Sequence, residues 1–364
     1  MFTTNYVDIL NLIDNIDPVK YGKTRNYSNG AVTKLSPYIS RGVISTRQIA
    51  TTLTKKGYKP YEILVFLKEL AWRDYFQQTW IHLKEKINED IKQLQTPVHN
   101  YETAENIILA NTGIAAIDTS INNLYETGYM HNHMRMYIAS ICCNIGKSHW
   151  LNSAQWMYYH LLDADWASNA LSWQWVAGSF SSKKYFANQE NINKYFFTNQ
   201  TKSFLDKEYE ELYQPEIPEQ LKNTSLFKAE TNLPPTEYLN VDAHLPVYIY
   251  NFYNLDPEWD KHVKANRVFL LEPSFFKKFP VSDNTIKFLL KISKNISGIK
   301  LFVGEFDELL NNYPDITFHY KEHPTNQHYK GIEHERDWMF SEVTGYYPSF
   351  FNYWKKCEKY LKNL

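Results

Sequence analysis

A chain of 364 residues, 43% hydrophobic and 16% aromatic, is long enough for two domains and apolar enough to bury substantial cores. Its formal net charge of −1 excludes a uniformly basic nucleic-acid coat and leaves a local patch as the only phosphate-binding surface. Three cysteines exclude a disulfide framework, the opening MFTTNYVDIL has neither the basic start nor the apolar run of a secretory signal, and no stretch is long enough to span a bilayer. The expectation is a reducing, cytoplasmic compartment and no membrane.

Along the chain, TRNYSNGAVTKLSPYISRGVIS passes through Thr33, Lys34, Leu35 and Ser36 into Pro37. Hydroxyls and free N–H groups at a helix start suit an anion, although proline in a first turn is more often a plain helix cap. From Ser36 to about Trp175 apolar residues recur every three or four positions, as in KPYEILVFLKELAWRDYFQQTWIHL and SINNLYETGYMHNHMRMYIASICCNI, which predicts a nearly all-α half. Within it Glu69 and Arg73 stand four apart, as an exposed ion pair would, and leave Trp72 unexplained. Thr96 to Thr112, with Pro97, Asn100 and Asn111, reads as a connection.

Asn132, Arg135 and Met136 share one helical face, and a guanidinium among apolar neighbours needs a carboxylate, for which Asp163 is a candidate. In LLDADWASNALSWQW, Asp163 and Asp165 do not open a calcium loop, because Ala167, Ser168 and Gln174 fall where a ligand, a glycine and a glutamate belong. A helix N-terminus remains the simple alternative to a ligand-facing pair.

Residues 201–243 contain Pro215, Pro218, Pro234 and Pro235 in a polar stretch that reads as a linker. After it, PVYIYNF, RVFLLEP, IKLFVGEF and ITFHYKEH alternate with helical stretches such as NTIKFLLKISKNI, predicting a small parallel α/β sheet. Neither GxGxxG nor GxxxxGK[ST] occurs. His319, His323, His328 and His334 are too irregularly spaced for a metal site, and the adjacent Cys142 and Cys143 read as core.

Taken in order, TKLSPYISRGVIS, ELAWRDYF, TGIAAIDTSINNLYETGYMHNHMRM, Trp150 and LLDADWASNALSWQWVAG resemble the flavin domain of the DNA photolyase and cryptochrome family over about residues 20 to 200. The resemblance implies a mainly α fold: a helical FAD-binding domain over 1–200, the linker over 201–243 and a small α/β domain over 244–364. It places the FAD phosphates at Thr33, Lys34, Leu35 and Ser36, with Tyr21 close by and Arg73 as a further contact. Asn132, Arg135, Asp163, Asp165 and Asn169 correspond to the polar ring around the isoalloxazine.

The implied activity is light-driven electron transfer from reduced FAD to a pyrimidine dimer flipped out of UV-damaged DNA, by a monomer. Trp72 and Trp175 correspond to the indoles walling the dimer cavity, Glu69 to the carboxyl on the thymine edge, and Met136 to the thioether beneath. Arg25 and Lys183 would meet DNA phosphates. His131 followed by Asn132 resembles the cyclobutane-dimer repairers rather than those acting on the (6-4) photoproduct, while His133 departs from their usual arginine. A blue-light photoreceptor of the cryptochrome type is the alternative.

Trp173 and Trp150 match two members of the family's electron relay. The third falls near Pro97, with Tyr101, Trp156 or Trp166 as substitutes. The iron–sulfur variants need four cysteines, one more than this chain has. Relatives begin with an α/β antenna domain, whereas these motifs start within the first 25 residues, and 244–364 loosely resembles that domain in a permuted position.

Overall fold

The computed structural model describes residues 2–213 and 216–364. Pro215, assigned above to the linker, lies outside the described residues. The chain is mainly α-helical with one small parallel sheet, as the patterns predict. Its two compact units are discontinuous in sequence, one formed by Met1–Val19, Thr33–His82 and Glu230–Leu364, the other by Lys20–Val32 and Leu83–Ala229. This grouping divides the chain differently from 1–200, 201–243 and 244–364. Composition marks where helices give way to strands, whereas compactness follows contacts, and those of the Leu64–Leu83 helix run to the C-terminal residues.

In the first unit five strands, β1 (Val247–Tyr250), β2 (Asn266–Leu271), β3 (Lys300–Val303), β4 (Phe318–Lys321) and β5 (Ile332–His334), lie in the order β3-β2-β1-β4-β5, all parallel. Ile249 stands opposite Val268 on one side and Tyr320 on the other. β1 is buried throughout, as the near-continuous apolar run VYIY requires in a parallel sheet covered on both faces. Val247, Ile249, Val268, Leu270, Phe306, Leu309 and Phe318 form the core on one face. β5 is the strand that the sequence pattern missed, because it has three residues and pairs with β4 alone.

The 20-residue Leu64–Leu83 helix of this unit buries Phe66, Leu67, Leu70, Ala71, Tyr75 and Trp80, but also Asp74, Gln77, Gln78 and Thr79. A helix covered around most of its circumference has no single apolar stripe.

The second unit is helical. Ala115–Thr127 ends at Gly128, whose φ of 69° is the left-handed cap glycine adopts without strain, and a side chain there would meet Leu162 at 2.5 Å. Asn132–Ser140 runs into a π-helical turn, Ile141–Ile145, that buries Cys142 and Cys143 completely. Burial pushes the Cys142 thiol up to about 12, which makes it inert as a nucleophile. Trp150–His160 and Trp166–Ala177 follow. Thr103–Ala104 pairs antiparallel with Thr224–Ser225, so part of the expected linker is structured. Among the described residues no helix is long and apolar enough to cross a membrane.

Candidate functional site

The residues singled out from the sequence are shared between the two units, and each set is built locally. In the helical unit, the N-terminus of Asn132–Ser140 and the turn before Trp166–Ala177 carry the polar groups. Arg135 Nη2 donates to Asp163 Oδ2 at 3.1 Å, and its Nε donates to the Met130 carbonyl at 2.9 Å. Asp163 is 7% exposed, so its charge is held in a poorly solvated place by a guanidinium fixed at two points.

Asp165 caps the Trp166–Ala177 helix, accepting the Ser168 N–H at 3.0 Å. The simple reading therefore describes its local bonding, and that of Asp163 is the ion pair. Asn169 is half-buried and its amide donates to the Ala154 carbonyl at 2.8 Å, which fixes its orientation across two helices. Asn132 is exposed, while Met136, Tyr21 and Arg25 are half-buried, and Lys183 is exposed.

His131 and His133 flank Asn132. Burial pulls the His131 imidazole down to about 4 and lowers that of His133, which packs against Tyr137 and Tyr195. At neutral pH neither supplies a cation.

The tryptophans sort by burial. Trp173 is 2% exposed and Trp175 is 38% exposed, as two residues spaced by two on one helix must be when one side is core. Trp150 is completely buried and its indole N–H donates to Asp90 at 2.9 Å. Trp166, offered above as a substitute in the relay, is held in place by its surroundings: its N–H donates to Asn88 at 2.9 Å and its ring meets Tyr158 edge-on. Trp156 is likewise buried, donating to the Tyr125 hydroxyl, whereas Tyr101 is exposed and lies 5.1 Å from the His149 ring, itself 5.7 Å from Trp150.

In the other unit, Ser36–Ser40 forms a five-residue helix with Pro37 in its first turn. Lys34 just before it adopts φ 55°, a left-handed conformation that costs a non-glycine residue roughly 1–2 kcal/mol. Thr33 and Ser36 are half-buried, Leu35 is buried and Lys34 is exposed. Arg73 donates to the Ser40 hydroxyl at 2.8 Å, tying the Leu64–Leu83 helix to this short one. Glu69 is half-buried. One face of Trp72 is covered by Phe350, stacked at 3.8 Å.

Two neighbours escaped the sequence reading. Asp74 is buried and bonded to the Thr46 hydroxyl and the Met339 N–H, and desolvation raises its carboxyl to about 6. Asp74, Gln77 and Gln78 at helical spacing were a legible signal of a polar face. Phe350 had none, since a stacking partner leaves no trace in local spacing. Among the described residues no group of three or more His, Cys, Asp or Glu is placed to hold a metal ion.

The family description "FAD binding domain of DNA photolyase" matches residues 66–242. A deoxyribodipyrimidine photo-lyase of Synechococcus sp. is 32% identical over 169 residues, 44% of this chain and 35% of that one. Another from Agrobacterium fabrum is 30% identical over 180 residues, 46% and 37%. The chain thus spans well under half the length of these curated relatives. Among solved structures, a class III photolyase from Agrobacterium tumefaciens superposes with a TM-score of 0.47 at 25% identity, covering 52% of this chain and 42% of that one. A Synechocystis cryptochrome gives 0.47 at 25%, with coverages of 53% and 44%.

The donor set fits a flavin dinucleotide. The helical unit holds a fixed guanidinium, two carboxylates and an oriented amide, and the buried Ser168 hydroxyl between Asp165 and Asn169 has no hydrogen-bond partner among the described residues. Residues 66–242 thus match the FAD-binding domain of DNA photolyase, and the polar residues arranged within that stretch fit FAD as the cofactor.

Proposed function

We propose that the protein repairs cyclobutane pyrimidine dimers in DNA as a light-driven deoxyribodipyrimidine photolyase, acting on a dimer flipped out of the duplex. The observation that carries this reading is the Arg135–Asp163 pair at 3.1 Å, with Asn169 held by Ala154. It is a charged and oriented polar set inside a helical unit packed mainly from apolar side chains. When bound, reduced FAD supplies the electron that light drives into the dimer and that returns after the ring opens.

The chain's own residues do the rest. Thr33, Lys34, Leu35 and Ser36, with Tyr21 and Arg73, hold the cofactor's phosphates, and Asn132, Arg135, Asp163, Asp165 and Asn169 orient its ring. Arg135 places a positive charge that Asp163 keeps from swinging away. Glu69 accepts a hydrogen bond from a thymine edge, and Met136 packs under the lesion. Trp72 and Trp175 stack on the bases, which offsets an unstacking cost of a few kcal/mol that is least for damaged pairs. Arg25 and Lys183 meet phosphates.

Trp173 and Trp150 form an electron relay, with Asp90 accepting the Trp150 N–H and favouring positive charge on that indole. A second reading, a blue-light photoreceptor, is supported by the covering of Trp72 by Phe350.

The test is the loss of thymine dimers from an oligonucleotide under blue light with the flavin pre-reduced. Wild type repairs, and Glu69→Ala and Asn169→Ala repair poorly. No light-dependent loss in wild type overturns the photolyase reading. Intact repair by Glu69→Ala overturns the assignment of the lesion. A light-induced change in oligomeric state without repair selects the photoreceptor.

A further inference from the structure

Trp72 and Phe350 lie with ring centroids 3.8 Å apart and planes inclined by 9°. That is the geometry of a base lying flat on an aromatic platform. Phe350 is 3% exposed and also meets Tyr75 edge-on at 5.9 Å, whereas its neighbour Phe351 is 73% exposed. The ring that points inward is therefore the one at Trp72.

The placement is built into the chain. Phe350 is the first residue of the Phe350–Cys357 helix, which Ser349 caps, and an irregular stretch over 335–349 leads into it. That stretch is pinned by the buried polar face of the Leu64–Leu83 helix, the same helix that carries Trp72. Asp74 accepts the Met339 N–H at 2.9 Å, Gln77 accepts from the Arg336 guanidinium at 2.7 Å, and Gln78 accepts the Gly345 N–H at 3.1 Å. The Tyr75 hydroxyl donates to the Tyr347 carbonyl at 3.2 Å. Arg47 adds bonds to the Trp338 carbonyl and the Ser341 hydroxyl, both at 2.7 Å. After the stack, Tyr353, Trp354 and Cys357 are buried and hold the helix down.

Buried polar side chains without partners are costly, so Asp74, Gln77 and Gln78 are explained by what they hold. What they hold delivers one flat ring onto the face of one indole.

We propose that Phe350 is an intramolecular stand-in for a base on Trp72 and sets the access of DNA to that indole. A lesion base reaches the face of Trp72 that Phe350 covers only by displacing that ring, so the apparent affinity at that face is scaled down to the fraction of molecules in which it is uncovered. The proposal deepens the reading of Trp72 as a substrate-stacking residue and rests on it.

The experiment uses the full-length FAD-loaded protein in the dark, with a fluorescent oligonucleotide carrying one thymine dimer and the same oligonucleotide undamaged. Binding is followed by anisotropy and folding by thermal denaturation. Phe350→Ala is expected to bind the dimer oligonucleotide about tenfold more tightly than wild type while melting at a lower temperature. A residue that serves packing alone would lose stability without gaining affinity.

Phe350→Leu, which keeps apolar bulk but loses the flat ring, moves affinity in the same direction and serves if the alanine variant folds poorly. Adding Trp72→Ala abolishes the gain. Equal or weaker dimer binding by both Phe350 variants, with wild type still preferring the dimer, overturns the proposal and leaves the photolyase reading standing. No preference for the dimer in wild type or in either variant overturns both.

Discussion

The Leu64–Leu83 and Trp166–Ala177 helices both carry indoles assigned to substrate, and both are buried around most of their circumference, yet they spend their polar residues differently. In the first, Asp74, Gln77 and Gln78 bind the C-terminal stretch, and Trp72 is covered by Phe350. In the second, Asp165 caps its own helix, Asn169 holds the Ala154 carbonyl and Gln174 donates to the Ile87 carbonyl, while Trp175 stays 38% exposed. Similar residues thus make one closed aromatic face and one open face. The difference lies in whether the distant segment that is recruited carries a ring onto the indole, which local sequence does not encode.

The largest effect is expected where a buried charge loses its partner. Arg135→Ala leaves the Asp163 carboxylate, 7% exposed, without the guanidinium at 3.1 Å, a change that typically costs about 3–5 kcal/mol. The side chain of Arg135 is 21% exposed, which favours the lower end of that range. Urea denaturation measures it, and an Arg135→Ala/Asp163→Ala double variant should lose less than the sum of the singles. Additive losses would mean that the pair stabilises neither the fold nor the site as a unit.

Next is a pH dependence confined to the closed face. Desolvation raises the folded Asp74 carboxyl to about 6, against an ordinary value of about 3.9 in the unfolded chain. Between those values the folded state binds more protons than the unfolded one, so this group's contribution to stability falls as pH rises from about 4 to 6 and is constant above. At about 1.4 kcal/mol per pH unit the change is roughly 3 kcal/mol. Asp74→Asn should flatten that slope in denaturation curves taken across the window. A wild-type slope that survives the substitution would locate the titration elsewhere.

The helical half, the alternating strands and the Arg135–Asp163 pair were all legible in the sequence, because each rests on short-range spacing or on one charge demanding another. The polar face of the Leu64–Leu83 helix was legible in principle, from three amides and acids at three- and four-residue spacing in an apolar helix, but its purpose was not. β5 was too short to show a period. Phe350 on Trp72 and Asn88 under Trp166 join residues far apart in the chain, and neither stacking nor an indole hydrogen bond imposes a pattern on its own neighbourhood.

Trp166 and Trp175 bring the comparison down to single rings on one helix. Trp166→Phe removes a hydrogen bond to Asn88 and leaves part of a buried volume unfilled, for a loss of about 1–3 kcal/mol in denaturation.

Trp175→Phe should be the quietest change to the fold. Its ring is 38% exposed and its described aromatic contact, with Tyr185, is a tilted one at 6.1 Å, so the loss is expected within about 0.5 kcal/mol. Its consequence for dimer binding should be larger, because an exposed indole contributes little to the fold and its full flat face to a base. Trp175→Ala is expected to weaken binding of the dimer oligonucleotide by about tenfold, measured by anisotropy. Trp175→Phe, which keeps a smaller flat ring, should recover part of that loss. If both substitutions leave affinity unchanged while Phe350→Ala raises it, recognition is carried by the covered face, and exposure alone is a poor guide to which indole meets the lesion.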